Sequence, residues 1–186
     1  MAKLVKGDKF PDFKFKIHTG ADSSISEIVD GKRTQILVVR YIGCPPCVYD
    51  AYCIQQRLDE FKAKGVNVAV MMQSTPENAS EYLEKHNLKL DFPIICNPDQ
   101  SMYKALDIFP AESMRALMGG DEFAARAQLK FAGMAGLGFE HGLYEGDEQQ
   151  LPAFFDLDGD MTVIEAHYAR GLVDIPNVDE MLAKIG

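Results

Sequence analysis

The sequence predicts an α/β fold, a mixed central sheet covered by helices on both faces, within one domain spanning residues 1–186. Three observations predict it. The β-branched run TQILVVRYI (Thr34–Ile42) and the run VNVAVMMQ (Val66–Gln73) both read as strands buried on two faces. Helical spacing fills the stretch between them, so strand, helix and strand form a βαβ unit. Far downstream, LPAFFDLDGDMTVIEAHYARG (Leu151–Gly171) reads as two more strands around an Asp158-Gly159 turn.

The remaining elements follow in chain order. FKFKI (Phe13–Ile17) alternates apolar and polar residues as a half-buried strand does, and SISEIV (Ser24–Val29) after TGADS reads as its hairpin partner. After the DGKR turn and the first buried strand, one helix is expected from the cysteine stretch onward. Val48, Tyr52, Gln55, Gln56, Leu58 and Phe61 supply its spacing and Gly65 its C-cap. STPENASEYLEKHN (Ser74–Asn87) opens with Ser74 or Thr75 as N-cap, Pro76 at the first helical position and Glu77 in the first turn. FPIIC (Phe92–Cys96) is a short strand and NPDQSMYKAL a turn into a short helix. Residues 110–150 form an insertion rich in Ala, Met and Gly, helical around Ala111–Met118 and Asp121–Phe131. Pro152 heads a late strand, where it removes only a terminal ladder donor, and NVDEMLAKIG is the last helix.

Composition narrows the function. A hydrophobic share of 47% with 25% charged residues is ordinary globular usage in a chain long enough to bury a core without staples. A formal net charge of -9 repels phosphate backbones and anionic headgroups, so neither nucleic acid nor a membrane surface is an expected partner. MAKLVKGDKF lacks the apolar stretch of a signal peptide, and FAGMAGLGF (Phe131–Phe139) is too short and Gly-rich to span a bilayer. A cytoplasmic location is expected, where thiols stay reduced and four cysteines do not make a disulfide scaffold.

Three of those cysteines fall within RYIGCPPCVYDAYC (Arg40–Cys53). A strand running into C-x-x-C at a helix start offers unpaired N–H groups and a positive dipole end, both favouring a thiolate. Cys44, at the exposed edge of the loop, is the expected nucleophile; Cys47, one turn in and more buried, is the expected resolving thiol. Pro45 and Pro46 stiffen the loop but remove two backbone donors, which points to a moderately reducing couple. Two other readings stand beside this one. A zinc site would need a second ligand pair, and Cys53 and Cys96 have the wrong spacing with no histidine near. Inert core thiols are the other. Cys53 reads as buried filler, and Cys96, at a strand end, either shares that role or lies near the pair.

Other motifs carry less. DLDGD (Asp156–Asp160) lacks the glycine of a calcium loop at the place of Met161, and the hairpin turn explains it. His18, His86, His141 and His167 are scattered, and GMAGLG (Gly133–Gly138) is no phosphate loop, having neither strand before it nor lysine after it. The insertion reads either as a lid or docking surface over the cysteines, or as helices covering a sheet face or a dimer contact.

RYIGCPPCVYD with the later QQLPAFF resembles the thioredoxin superfamily. VKGDKFPDFKFKI, the middle from Asn67 to Leu106, and LPAFFDLDGDMTVIEAHYARG resemble its alkyl hydroperoxide reductase/thiol-specific antioxidant, or peroxiredoxin-like, branch. The resemblance implies a thioredoxin-like fold in which Pro152 is the cis-proline and Leu151 offers backbone to a bound partner. With Cys47 set in the peroxidatic place, it departs from the peroxiredoxin pattern in that Arg40 stands at the place of a proline and Cys44 at that of a threonine. Gln149, Gln150, Leu151 and Pro152 stand where a late arginine belongs. Those changes remove donors that polarise a peroxide O–O bond. Arg40 reads first as a solvated strand-end residue and second as a positive charge near the cysteines.

The expected function is therefore thiol–disulfide exchange by Cys44 and Cys47, with Arg40, Tyr41, Pro45, Pro46, Leu151 and Pro152 facing the substrate. No cofactor or metal is called for. The partners are a thiol or disulfide substrate, protein or small molecule, and an external thiol reductant. Two alternatives remain: a thiol peroxidase working through a sulfenate on one cysteine, and a redox-sensing module without turnover.

Overall fold

The computed structural model describes residues 2–186. Its centre is a seven-stranded mixed sheet in the order β2-β1-β5-β4-β3-β6-β7. β3 (Thr34–Val38), β4 (Asn67–Met72) and β5 (Ile94–Cys96) run parallel, while β6 (Ala153–Leu157) pairs antiparallel with β3. β7 (Val163–Tyr168) closes one edge; β1 (Lys14–Ile17) and β2 (Asp22–Ser24) form the other. β3 and β4 are the runs read as doubly buried, and every residue of β3 is buried.

Side chains alternate between two cores, one on each face. Leu37, Val68, Val70, Met72, Ile94 and Phe154 join the cluster beneath α2 (Pro45–Gln56), α3 (Leu58–Ala63), α4 (Pro76–Lys85) and α8 (Val178–Ile185). Ile36, Val38, Ala69, Met71, Ile95 and Phe155 join the other, beneath α1 (Ile25–Val29) and α5 (Ser101–Ala105). The buried Asp156 carboxylate crosses between elements. It accepts from Arg33 Nε and Nη2 at 2.9 and 2.7 Å, while the same Nη2 reaches the Lys184 carbonyl of α8.

Three sequence readings change. The hairpin's second strand is only Asp22–Ser24, and ISEIV is α1, because Ser24 and Glu27 form a reciprocal capping box that starts a helix there. The helix after the cysteines breaks at Arg57, whose φ of -116° leaves the helical range, into α2 and α3. The insertion's first helix is α6 (Met114–Met118), shorter than expected because Ser113 caps it by accepting from the Ala116 N–H. A short 3₁₀ turn (Asp121–Phe123) then leads into α7 (Ala124–Met134). Thr75 caps α4 as one of the two expected candidates, and Gly65, at φ +67°, stands just past α3. None of the helices among the described residues is long and apolar enough to cross a membrane.

Candidate active site

The stretch from Val39 to Val48 ends a strand and begins a helix. Parallel pairing continues past β3, with the Val39 N–H on the Met71 carbonyl at 3.0 Å and the Gln73 N–H on the Arg40 carbonyl at 2.7 Å. The chain then turns: Ile42 N–H donates to Ser74 Oγ at 2.8 Å and Cys44 N–H to the Tyr41 carbonyl at 3.1 Å. Cys44 is the N-cap residue of α2, with Pro45 and Pro46 at the first two helical positions, where an N–H would have no intrahelical partner. From beneath, the wholly buried Tyr103 hydroxyl donates to the Val39 carbonyl at 2.6 Å and also lies 3.2 Å from that of Met71.

This geometry brings the two sulfurs together. Cys47 Sγ points at Cys44 Sγ from 2.7 Å, and both cysteines are free. Their protonation behaviour is opposite. Burial disfavours the Cys44 thiolate, but the Cys47 thiol donating to it, the Arg40 charge, the Cys47 N–H and Lys130 outweigh that and hold its pKa below the ordinary thiol value. Burial pushes Cys47 well up, and its hydrogen bond and repulsion with Cys44 push it the same way. Of the two sulfurs, Cys44 is therefore the readier to ionise and Cys47 the one that keeps its proton longer.

Exposure corrects one expectation. Cys44 does not stand at an exposed edge: it and Cys47 are each 1% accessible. A strap from the insertion, residues 139–147, lies over the loop. Gly142 N–H donates to the Gly43 carbonyl at 2.9 Å, and a Cβ on Gly43 would collide with the Leu143 carbonyl oxygen. Glu145 is held by Ser74 Oγ at 2.6 Å, Thr75 N–H at 3.0 Å and Asn78 Nδ2 at 2.8 Å. Gln73 pairs through its side-chain amide with the backbone of Asp147, and the Tyr82 hydroxyl donates to the Glu140 carbonyl. Tyr41 Oη stands 3.2 Å from His141 Nε2.

Arg40 is likewise not solvated. It is 7% accessible, donates to Tyr41 Oη at 3.2 Å and lies 5.0 Å from the centre of the Tyr41 ring. Its Nε has no hydrogen-bond partner, and among the described residues it makes no ion pair. Tyr41 is fully buried, and burial raises its phenol. Pro45 and Pro46 are half-buried.

The expected cis-proline is not present: the bond into Pro152 is trans, as are the other peptide bonds among the described residues. The β6–β7 ladder continues one residue beyond the strands, Ala169 N–H donating to the Pro152 carbonyl at 3.1 Å, and keeps this segment extended. The Leu151 carbonyl accepts from Gln150 Nε2 at 3.2 Å.

Cys53 is only half-buried rather than core filler. With Tyr49, Asp50, Arg126 and Lys130 it lines a cavity of about 350 Å³ between α2, α7 and the approach to α8. Burial raises its thiol. Cys96 is buried in β5, its thiol directed at the Ile94 carbonyl from 3.8 Å and pushed up to about 12, first by burial and then by Glu145 and Glu77. The ion pair Lys130–Asp50, at 2.5 Å and largely buried, ties α7 to the cysteine helix. The sequence reading missed this pair, Tyr103, Gly43 and Glu145; only the Gly-rich composition of the insertion hinted at the close approach.

A mixed sheet of this topology, with two coupled thiols where its first βαβ helix begins, defines a thiol-based redox protein of the thioredoxin fold. More particularly, the AhpC/TSA family model matches residues 6–165, and the chain belongs to that family. Among solved structures it is similar to the peroxidoxin BcpB of Mycobacterium tuberculosis, at 14% identity and a TM-score of 0.69, covering 98% of this chain and 96% of that one. Peroxiredoxin Q of Xanthomonas campestris matches at 16% identity and a TM-score of 0.64 over 98% and 94% of the two chains. A Chlorobium tepidum protein assigned as thiol:disulfide interchange protein DsbE matches at 18% and 0.61 over 99% and 100%. These likenesses are of fold. No curated protein matches the chain in sequence.

Proposed function

We infer that the protein is a thiol–disulfide oxidoreductase whose working groups are Cys44 and Cys47, within a single domain in which residues 110–150 are an insertion. The observation that carries this reading is the pair itself, two free sulfurs 2.7 Å apart at a helix start. Their pKa shifts in opposite directions support Cys44 as the nucleophile and Cys47 as the resolving thiol. The Cys44 thiolate attacks one sulfur of a substrate disulfide; a mixed disulfide forms and the first substrate thiolate leaves. Cys47 loses its proton and attacks the Cys44 sulfur. The second substrate thiolate departs, and the protein is left as the Cys44–Cys47 disulfide. An external thiol reductant returns two electrons and one proton, restoring the Cys44 thiolate and the Cys47 thiol.

Arg40 stabilises the Cys44 thiolate as its buried counter-charge. Tyr41 holds the guanidinium, and Pro45 and Pro46 fix the loop. Leu151 and Pro152 line the approach as extended backbone without the cis bond first expected. The substrate is a disulfide of a protein or a small molecule, and the reaction takes place in the cytoplasm.

A specific observation also favours a second reading, hydroperoxide reduction. The family is peroxiredoxin-like, and Arg40 beside Cys44 is a cation without an acidic partner. In that case Cys44 attacks the peroxide oxygen, water or an alcohol leaves, and Cys47 condenses with the sulfenic acid, releasing water. Under a third reading the pair oxidises without turning over, as a sensor. One experiment separates them. Cys47→Ser protein is mixed with a cell extract and resolved without reductant, and wild-type protein is assayed with insulin and with hydroperoxide. Stable mixed disulfides and insulin reduction are expected. Peroxide consumption far above that of a free thiol, with no trapped disulfide, would replace the first reading by the second.

A further inference from the structure

The strap that hides the sulfurs is held in an unusual way. Its contacts to the body are mainly polar: Gly142 to Gly43, Glu140 to Tyr82, Glu145 to Ser74, Thr75 and Asn78, and Asp147 to Gln73. Of its large side chains, Leu143 is 65% and Tyr144 64% accessible, and the inward ring contacts are few: Phe139 on Tyr52, and His141 and Tyr144 against Tyr41. Water can replace most of the hydrogen bonds that are broken, and segments of this kind open locally at low cost.

The ends of the strap are built to turn. Gly136 and Gly138, at φ +85° and +70°, precede it, and Gly146, at φ +63°, lies near its far end against Gln73. Phe139, stacked edge-on against Tyr52 at 5.7 Å, anchors the near end on α2. Between those points the one tight backbone approach is that of Gly142 to Gly43, the residue before Cys44. With the strap down Cys44 and Cys47 are each 1% accessible, so a reaction partner needs their cover displaced, and the strap is the segment seated on the residue before Cys44.

We propose that residues 139–147 are a gate over the dithiol, latched by the Glu145 carboxylate on the N-terminus of α4, and that Cys44 reacts with solutes only while the latch is released. The inference rests on Cys44 and Cys47 being the reactive pair, and it holds whichever substrate they serve.

The test reads access and not turnover. Reduced wild-type and Glu145→Ala proteins are treated with iodoacetamide, and the carbamidomethyl group on the Cys44 peptide is followed by mass spectrometry. Glu145→Ala is expected to raise the rate about tenfold or more, a latch worth about 1.4 kcal/mol. Amide exchange on the wild-type protein is the second measurement, and it decides alone if the variant does not fold. The amides of Thr75, Gly142 and Asp147 are expected to exchange at least about a hundredfold faster than that of Val39, bonded within the sheet. An unchanged Cys44 rate in a folded Glu145→Ala protein, or strap amides as slow as Val39, overturns the gate. Either result leaves the oxidoreductase reading standing, whereas a Cys47→Ser protein that traps no partner removes that reading and leaves the gate.

Discussion

Arg40 illustrates how one side chain changes meaning with its surroundings. On a solvated strand end it would be neutral to chemistry; buried beside a thiol with no carboxylate to answer it, it favours an anion on Cys44. Arg40→Met is expected to raise the Cys44 pKa, because a positive charge is removed, and a thiolate-absorbance titration at 240 nm would record the midpoint moving up. A midpoint unmoved or lowered would show that the helix start alone sets it. The two thiols also tie stability to pH. Cys44 is depressed in the folded state, so it stabilises the reduced protein above its own folded value, and that contribution is lost as pH falls through it. Cys47 is raised, so its contribution is lost as pH rises beyond the ordinary thiol range. Chemical denaturation of reduced protein across pH should therefore show the wild type gaining stability towards roughly pH 8.5 and losing it beyond, relative to the Cys44→Ser, Cys47→Ser double variant.

Among the elements, α2 and α7 make the contact that fastens the insertion to the cysteine helix. Lys130 and Asp50 are 10% and 14% accessible, and Gly133 lies so close to Tyr49 that any Cβ would strike its hydroxyl. Removing one partner leaves a buried charge unanswered. Lys130→Met should cost about 3 kcal/mol in urea denaturation and should also raise the Cys44 and Cys47 thiols, since Lys130 lowers each. Strands and helices of the body were legible because their signals are local. β3 and β4 are continuous apolar runs, α4 announces its cap at Thr75, and α8 opens on an Asn177–Glu180 capping box. ISEIV misled because five residues with two isoleucines and a valine suit a strand by composition, while the decisive contact was the Ser24–Glu27 cap. The pair Cys44/Cys47 was legible for the same reason of nearness. Its cover was not: Tyr41 meets His141, and Gly43 meets Gly142, across about a hundred residues, and no periodicity marks such a meeting.

Across the whole molecule, the Arg33–Asp156 pair links β3, β6 and the carbonyl end of α8. Arg33→Met strands a carboxylate that is 1% accessible, and a loss of about 3–5 kcal/mol is expected, measurable as a lowered urea midpoint with an unchanged slope. Little change would mean that Gln35 Nε2, 3.1 Å from the same carboxylate, suffices for it. Its distance from the thiols makes it a control too, since Cys44 reactivity should be untouched. The proline expected to arch towards the cysteines instead continues a ladder, so in this chain the far half of the molecule contributes its insertion more visibly than its late loop.

The Tyr103 hydroxyl, clasping the ends of two neighbouring strands under the cysteine turn, has a mechanical corollary. A floor riveted in this way cannot sag, so the small shift that accompanies joining or parting two sulfurs has only the roof to move. Oxidation should then register as spectral changes concentrated at Gly142 and its neighbours, with the strands below silent. Replacing that tyrosine by phenylalanine should let the disturbance spread downward.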